Sequence, residues 1–126
     1  MPADESDTNK INGWIGVDLD GTLAYYDHWR GEEHIGEPIP KMASRVRGWL
    51  AKDVEVRIFT ARATKREDGK DNLAIAAIKA WTLRHFGQEL EVTNVKDYGL
   101  IALYDDRAVG VEENTGELLH KPQRKY

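Results

Sequence analysis

Two aspartates one residue apart, Asp18 and Asp20, follow the apolar run Trp14-Ile15-Gly16-Val17 and precede Gly21-Thr22. Alternate side chains of a strand share a face, so both carboxylates would leave the strand's end together. Like charges so close are costly unless a cation or a proton is shared between them. The pattern therefore points to a divalent-metal site in which one carboxylate is free to attack or to move protons. The plain alternative is a strand followed by an Asp-Gly turn. Thr60 ends a second β-branched run, Lys96 lies between a third and a fourth, and Asp105-Asp106 end the fourth. Oxygen-only ligation completed by waters suits Mg²⁺ rather than zinc or copper. A carboxylate beside such an ion and a phosphoryl group can form an aspartyl-phosphate. A second one can protonate the leaving oxygen and then deprotonate water, which is worth about 10²–10⁴-fold in rate. Lysine and threonine would neutralise and hydrogen-bond the transferred phosphoryl group.

For these residues to meet, the elements must bring strand ends to one rim. Ile11 to Leu19 reads as a first strand, apolar enough for burial on both faces. Lys41 to Lys52 carries Met42, Val46, Trp49 and Leu50 on one helical stripe. Val54 to Thr60 reads as a strand. A helix follows from about Lys70 to Phe86, with Leu73, Ala74, Ala77, Ile78 and Trp81 inward and Gly87 as terminator. Leu90 to Thr93 and Leu100 to Tyr104 are two more strands, joined by a turn over 96–99. Val109-Gly110-Val111 with Asn114-Thr115-Gly116 predicts a last short strand and a turn. This order predicts a three-layer α/β domain with a mainly parallel sheet. Ligands of such sheets gather beyond the carboxyl ends of the strands, where Asp18, Asp20, Thr60, Lys96, Asp105 and Asp106 would converge.

The chain's 126 residues allow one domain with a proper core. Its 40% apolar and 32% charged residues describe a globular chain rather than a disordered one. A net charge of −4 argues against a broad electrostatic nucleic-acid surface, but not against local capture of one phosphorylated end. The absence of cysteine removes disulfides, thiolate zinc sites and cysteine nucleophiles. No apolar run approaches the roughly 18 residues of a membrane span, and the acidic start is unlike a signal peptide, so a cytoplasmic protein is expected. Residues 1–10 are expected to be a disordered leader, 11–119 the domain, and 120–126 a loose basic tail.

Asp18-Leu19-Asp20-Gly21-Thr22-Leu23, Thr60 in Phe59-Thr60-Ala61-Arg62, Lys96, and Asp105-Asp106 resemble, in order, the four motifs of the haloacid dehalogenase-like superfamily. The resemblance spans roughly residues 14 to 107 and is nearest to small phosphatase-like members related to polynucleotide phosphatase domains and 5′-nucleotidases. It implies a Rossmann-like core and a Mg²⁺-dependent phosphatase with Asp18 as nucleophile and metal ligand. Asp20 would be the general acid/base and bind Mg²⁺ through its backbone carbonyl. Thr60 and Lys96 would hold the phosphoryl group, and Asp106, with Asp105 beside it, would bind the metal. Superfamily dehalogenases lack the second aspartate, so Asp20 favours phosphoryl chemistry. The gaps after the first and second motifs leave room for a flap and no cap domain. An open site admits a nucleotide, a phosphorylated nucleic-acid end or a phosphoprotein, unless a homo-oligomer supplies cover.

Several residues remain open between two readings. Arg62 and Arg107 could clamp a phosphate bidentately or form structural ion pairs. Lys65 and Arg66 read as a solvated face. Tyr25, Tyr26, His28 and Trp29 fall where the superfamily places a mobile flap, and could stack on a nucleobase or pack the flap down. A non-catalytic phosphoryl- or protein-binding module is the rival from another class. A response-regulator receiver fails, because its phosphorylated aspartate would end the third strand, which here ends in Thr93-Asn94.

Overall fold

The structure, a computed structural model, describes residues 12–70 and 72–124. The expected leader and the last two residues lie outside the described residues. Four strands, β1 (Trp14–Val17), β2 (Glu55–Phe59), β3 (Glu91–Thr93) and β4 (Leu100–Tyr104), form one sheet in the order β3-β2-β1-β4. All three pairings are parallel. Helix α1 (Pro40–Ala51) joins β1 to β2, and α2 (Leu73–Phe86) joins β2 to β3. The architecture is α/β, consistent with a Rossmann-like three-layer fold without a cap.

Both crossovers step in the same direction along the sheet, so right-handed connection places both helices on one face. Ile15 and Val17 of β1 and Val56 and Ile58 of β2 pack there with Met42 and Val46 of α1 and Ile78 and Trp81 of α2. Val46, Ile58 and Ile78 are fully buried, each contributing about 1.5–3 kcal/mol by leaving water. Helix α1 starts on Pro40, whose missing N–H would be unpaired in a first turn anyway. Helix α2 begins later than the periodicity suggests. The Asn72 side chain accepts from the N–H groups of Ala74 and Ile75 and so marks the start, and Gly87 closes the helix in the left-handed conformation. Leu73, expected inward, is exposed at that first turn.

The opposite face is covered differently. The six residues 94–99 connect β3 to β4 across it without a helix. Trp14, fully buried, stacks on Phe59 at 6.4 Å and lies under the Arg57 guanidinium at 4.5 Å. Asp97 accepts from the Trp14 indole N–H at 2.8 Å and pairs with Arg57 at 3.4 Å. Arg57 also pairs with Glu55 and Glu91. One carboxylate thereby ties the crossing segment to both central strands, and its pKa is held below the usual range by the indole and Gly99 N–H groups and by Arg57. The predicted last strand is a single antiparallel bridge, Val111 to Leu118, around a turn with Asn114 and Gly116 at positive φ. Among the described residues, no helix is long and apolar enough to cross a membrane.

Candidate active site

From β1 the chain leaves toward β2 on one side, and β4 lies on the other, which makes the carboxyl end of β1 a switch point. Asp18 directly follows β1, and its N–H donates to the Tyr104 carbonyl at 2.9 Å, extending the ladder one residue past the strand. Asp105 and Asp106 directly follow β4. The chain then turns tightly, with the Leu23 and Ala24 N–H groups donating to Leu19, while buried Leu19 and Leu23 pin the turn to the core. Gly21 has φ +89, and a Cβ there would stand 2.8 Å from Asp106 Oδ2. Glycine is required both for the conformation and for the approach of that carboxylate.

Thr22 joins the two halves of the acidic end. Its hydroxyl accepts from the Asp106 N–H at 2.9 Å and donates to Asp106 Oδ1 at 2.9 Å, with Asp18 Oδ2 at 3.4 Å. The Arg107 N–H donates to Asp105 Oδ1 at 2.8 Å. Asp18, Asp105 and Asp106 each offer an oxygen, and these oxygens lie within 4.8 Å of one another. Burial, then the charge of Asp105 and a carboxyl–carboxyl hydrogen bond with Asp106, pushes the Asp18 carboxyl up to about 8. Three clustered oxygen donors facing an open cleft, one of them kept from ionising readily by burial and by its neighbouring carboxylates, fit a hard divalent cation. Here Asp105 and Asp106 both belong to the cluster.

Asp20 does not belong to it. Arg62 donates from Nε and Nη2 to its two oxygens, each at 2.8 Å, and the arginine side chain is only 6% exposed. Arg62 Nη1 donates to the carbonyls of Glu32 and His34 in the flap, and the Trp29 ring lies 4.9 Å from its guanidinium carbon. Of the two readings open for Arg62, a phosphate clamp or a structural ion pair, the structure shows the ion pair. The arginine's fork is taken by Asp20 and its remaining face by the flap. The flap is closed at its base by a bridge between Ala24 and Pro38. Tyr26 and Trp29 turn toward the cleft, whereas Tyr25 lines a separate hollow beside Pro38 and Ile39.

The cleft holds about 570 Å³. Buried Thr60 lines it from the end of β2, and its Oγ1 accepts the Arg62 N–H to start the short 3₁₀ helix Ala61–Ala63. Lys96 is not among the lining residues. With no helix between β3 and β4, the chain turns at once across the far face, and Asn94 occupies the rim instead. The position assigned to Lys96 is corrected accordingly. Lining residues also lie outside the motifs and the flap: Asn94, just past β3, and Arg124, in the tail expected to be loose. Only the tail's basic composition hinted at the second.

No family model and no curated protein matches the chain. Among solved structures, a conserved protein of Bacteroides thetaiotaomicron aligns with a TM-score of 0.50 at 23% identity, covering 76% of this chain and 77% of that one. At that identity the likeness concerns the fold alone.

Proposed function

We propose that this protein is a Mg²⁺-dependent phosphomonoester hydrolase working through an Asp18 phosphoenzyme. The observation that carries this reading is the convergence of Asp18, Asp105 and Asp106 on one point, with Thr60 on the same rim. Asp18, Asp105 and Asp106 would hold the ion, which when bound neutralises their charge and polarises a phosphoryl oxygen. In the first step an Asp18 oxygen attacks phosphorus, the ester P–O bond breaks, and Asp20 gives a proton to the leaving oxygen. In the second, Asp20 takes a proton from water, which attacks phosphorus and releases Asp18 and inorganic phosphate. Thr60 hydrogen-bonds the phosphoryl group throughout. Asp20 reaches the leaving oxygen after yielding one of its two Arg62 contacts. The resemblance to the haloacid dehalogenase-like superfamily supports the same roles.

Tyr26 at 37% and Trp29 at 54% exposure offer ring faces at the mouth of the cleft. That suits a nucleotide or a phosphorylated nucleic-acid end, since base–aromatic stacking is worth about 1–3 kcal/mol per base. A chromogenic aryl phosphate with Mg²⁺ should release phosphate, and Asp18→Asn should stop it. Turnover surviving in that variant would sink the nucleophile assignment. A second reading, a non-catalytic binding module, is favoured by the closed Asp20–Arg62 pair. It gains if phosphorylated nucleosides and oligonucleotides with 3′- or 5′-phosphate ends all resist hydrolysis while Mg²⁺ binds.

A further inference from the structure

We infer that Arg124, brought back by the C-terminal chain, acts with Arg107 as the anion-binding pair of this cleft, in the place sequence reasoning gave to Lys96. The inference rests on the phosphomonoesterase reading for its substrate, not for its geometry.

Charge makes such a pair necessary. Asp18, once ionised, adds its charge to those of Asp105 and Asp106, for three formal negative charges at one point. A divalent ion offsets two, so a phosphate dianion still meets net repulsion at close range, where low dielectric strengthens it. Among the described residues, three cationic side chains line the cleft: Arg62, Arg107 and Arg124. Arg62 is neutralised by Asp20 and gives two further hydrogen bonds to flap carbonyls. Arg66, on the loop beyond, is engaged by Asp68 at 2.7 Å and lies 3.7 Å from Glu32. Among the described residues, Arg107 and Arg124 line the same cleft with no ion pair to a carboxylate. Guanidinium groups match its oxygens with paired N–H donors.

Local structure explains how a residue so far along the chain arrives there. After Arg107 the chain runs out and folds back at the Asn114–Gly116 turn, held by Glu112 N–H to the Glu117 carbonyl at 2.8 Å and Leu119 N–H to the Gly110 carbonyl at 2.9 Å. The Gly110 N–H then donates to His120 Nε2 at 2.9 Å, fixing where the returning strand leaves the hairpin. The outgoing and returning chains therefore pass side by side. Arg107 enters the cleft from one and Arg124 from the other.

The test is titration of the full chain with inorganic phosphate in the presence of Mg²⁺, alongside kinetics on an aryl phosphate. Arg124→Ala and Arg107→Ala should each weaken phosphate binding about 10–100-fold, the range for losing a charged hydrogen-bonding partner. KM should rise more than kcat falls, Arg124→Lys should restore part of the affinity, and Lys121→Ala should leave it unchanged. Arg124 is exposed, so an unaltered melting temperature separates lost binding from lost folding. Wild-type affinity in both alanine variants, or no phosphate binding by the wild type, would overturn the assignment. So would loss of binding in Lys96→Ala with retention in Arg124→Ala. Phosphate binding that needs Arg124 in a protein that hydrolyses nothing would sustain the pair and sink the hydrolase reading. Hydrolysis indifferent to both arginines would do the reverse.

Discussion

Asp18 and Asp20 stand two residues apart at opposite electrical ends of one cleft. Beside Asp18 stand two like charges, Asp105 and Asp106, brought alongside by β4. Around Asp20 there is a nearly buried guanidinium that meets it with two hydrogen bonds. The first carboxylate is held at a cost that an ion can relieve, and the second is already compensated. Identical residues on one strand end thus take different chemical characters from what the rest of the fold delivers to them.

The same substitution at the two positions should therefore act with opposite sign on stability. The largest effect is expected for Asp20→Asn. Turnover should fall about 10²–10⁴-fold with loss of the acid/base group, and stability should drop by about 2–3 kcal/mol because Arg62 stays buried without a counter-charge. Chemical denaturation measures the second effect independently of activity. Asp18→Asn should instead raise the metal-free melting temperature, and a fall there would break the contrast. Next comes Arg62→Lys, which keeps the charge but loses the fork and a flap contact, for about 1–2 kcal/mol. Limited proteolysis between residues 25 and 37 should then become faster. Thr22→Val should cost about 1 kcal/mol, since the Asp106 N–H loses its acceptor.

A pH dependence, read within the unaltered protein rather than between variants, sharpens the contrast. With the folded Asp18 carboxyl raised to about 8 from an ordinary 3.8, the folded chain holds a proton that the unfolded chain has released throughout that window. Metal-free stability should accordingly fall as pH rises from about 4 to 8 and level off beyond. Partial exposure of Asp18 shallows the slope. Mg²⁺ should stabilise the protein more at pH 8 than at pH 5, and Asp18→Asn should flatten both trends in thermal melts.

Much of this arrangement was legible beforehand for a simple reason. Strands announced by β-branched runs such as Val54 to Thr60 pair in parallel, and parallel pairing alone gathers their carboxyl ends. Asp18, Thr60, Asp105 and Asp106 reach the cleft by that rule. What stayed hidden depends on where loops go. Arg62 finds Asp20 across 42 positions, and a flap that no periodicity describes holds it there. Lys96 lies away from the cleft lining because a segment lacking a helix crosses the far face, a course set by Asp97 meeting Trp14 and Arg57. Arg124 depends on a hairpin whose single bridge is too short to show an alternating pattern.

The hydrogen bond between Thr22 and Asp106 spans 84 positions, nearly the reach of the fold. It can form only where β4 lies beside β1. The repulsion among Asp18, Asp105 and Asp106 therefore arises only once both strand ends are in place. A divalent ion has no preformed cluster to occupy until that moment. Its affinity then measures the finished protein rather than any intermediate along the way.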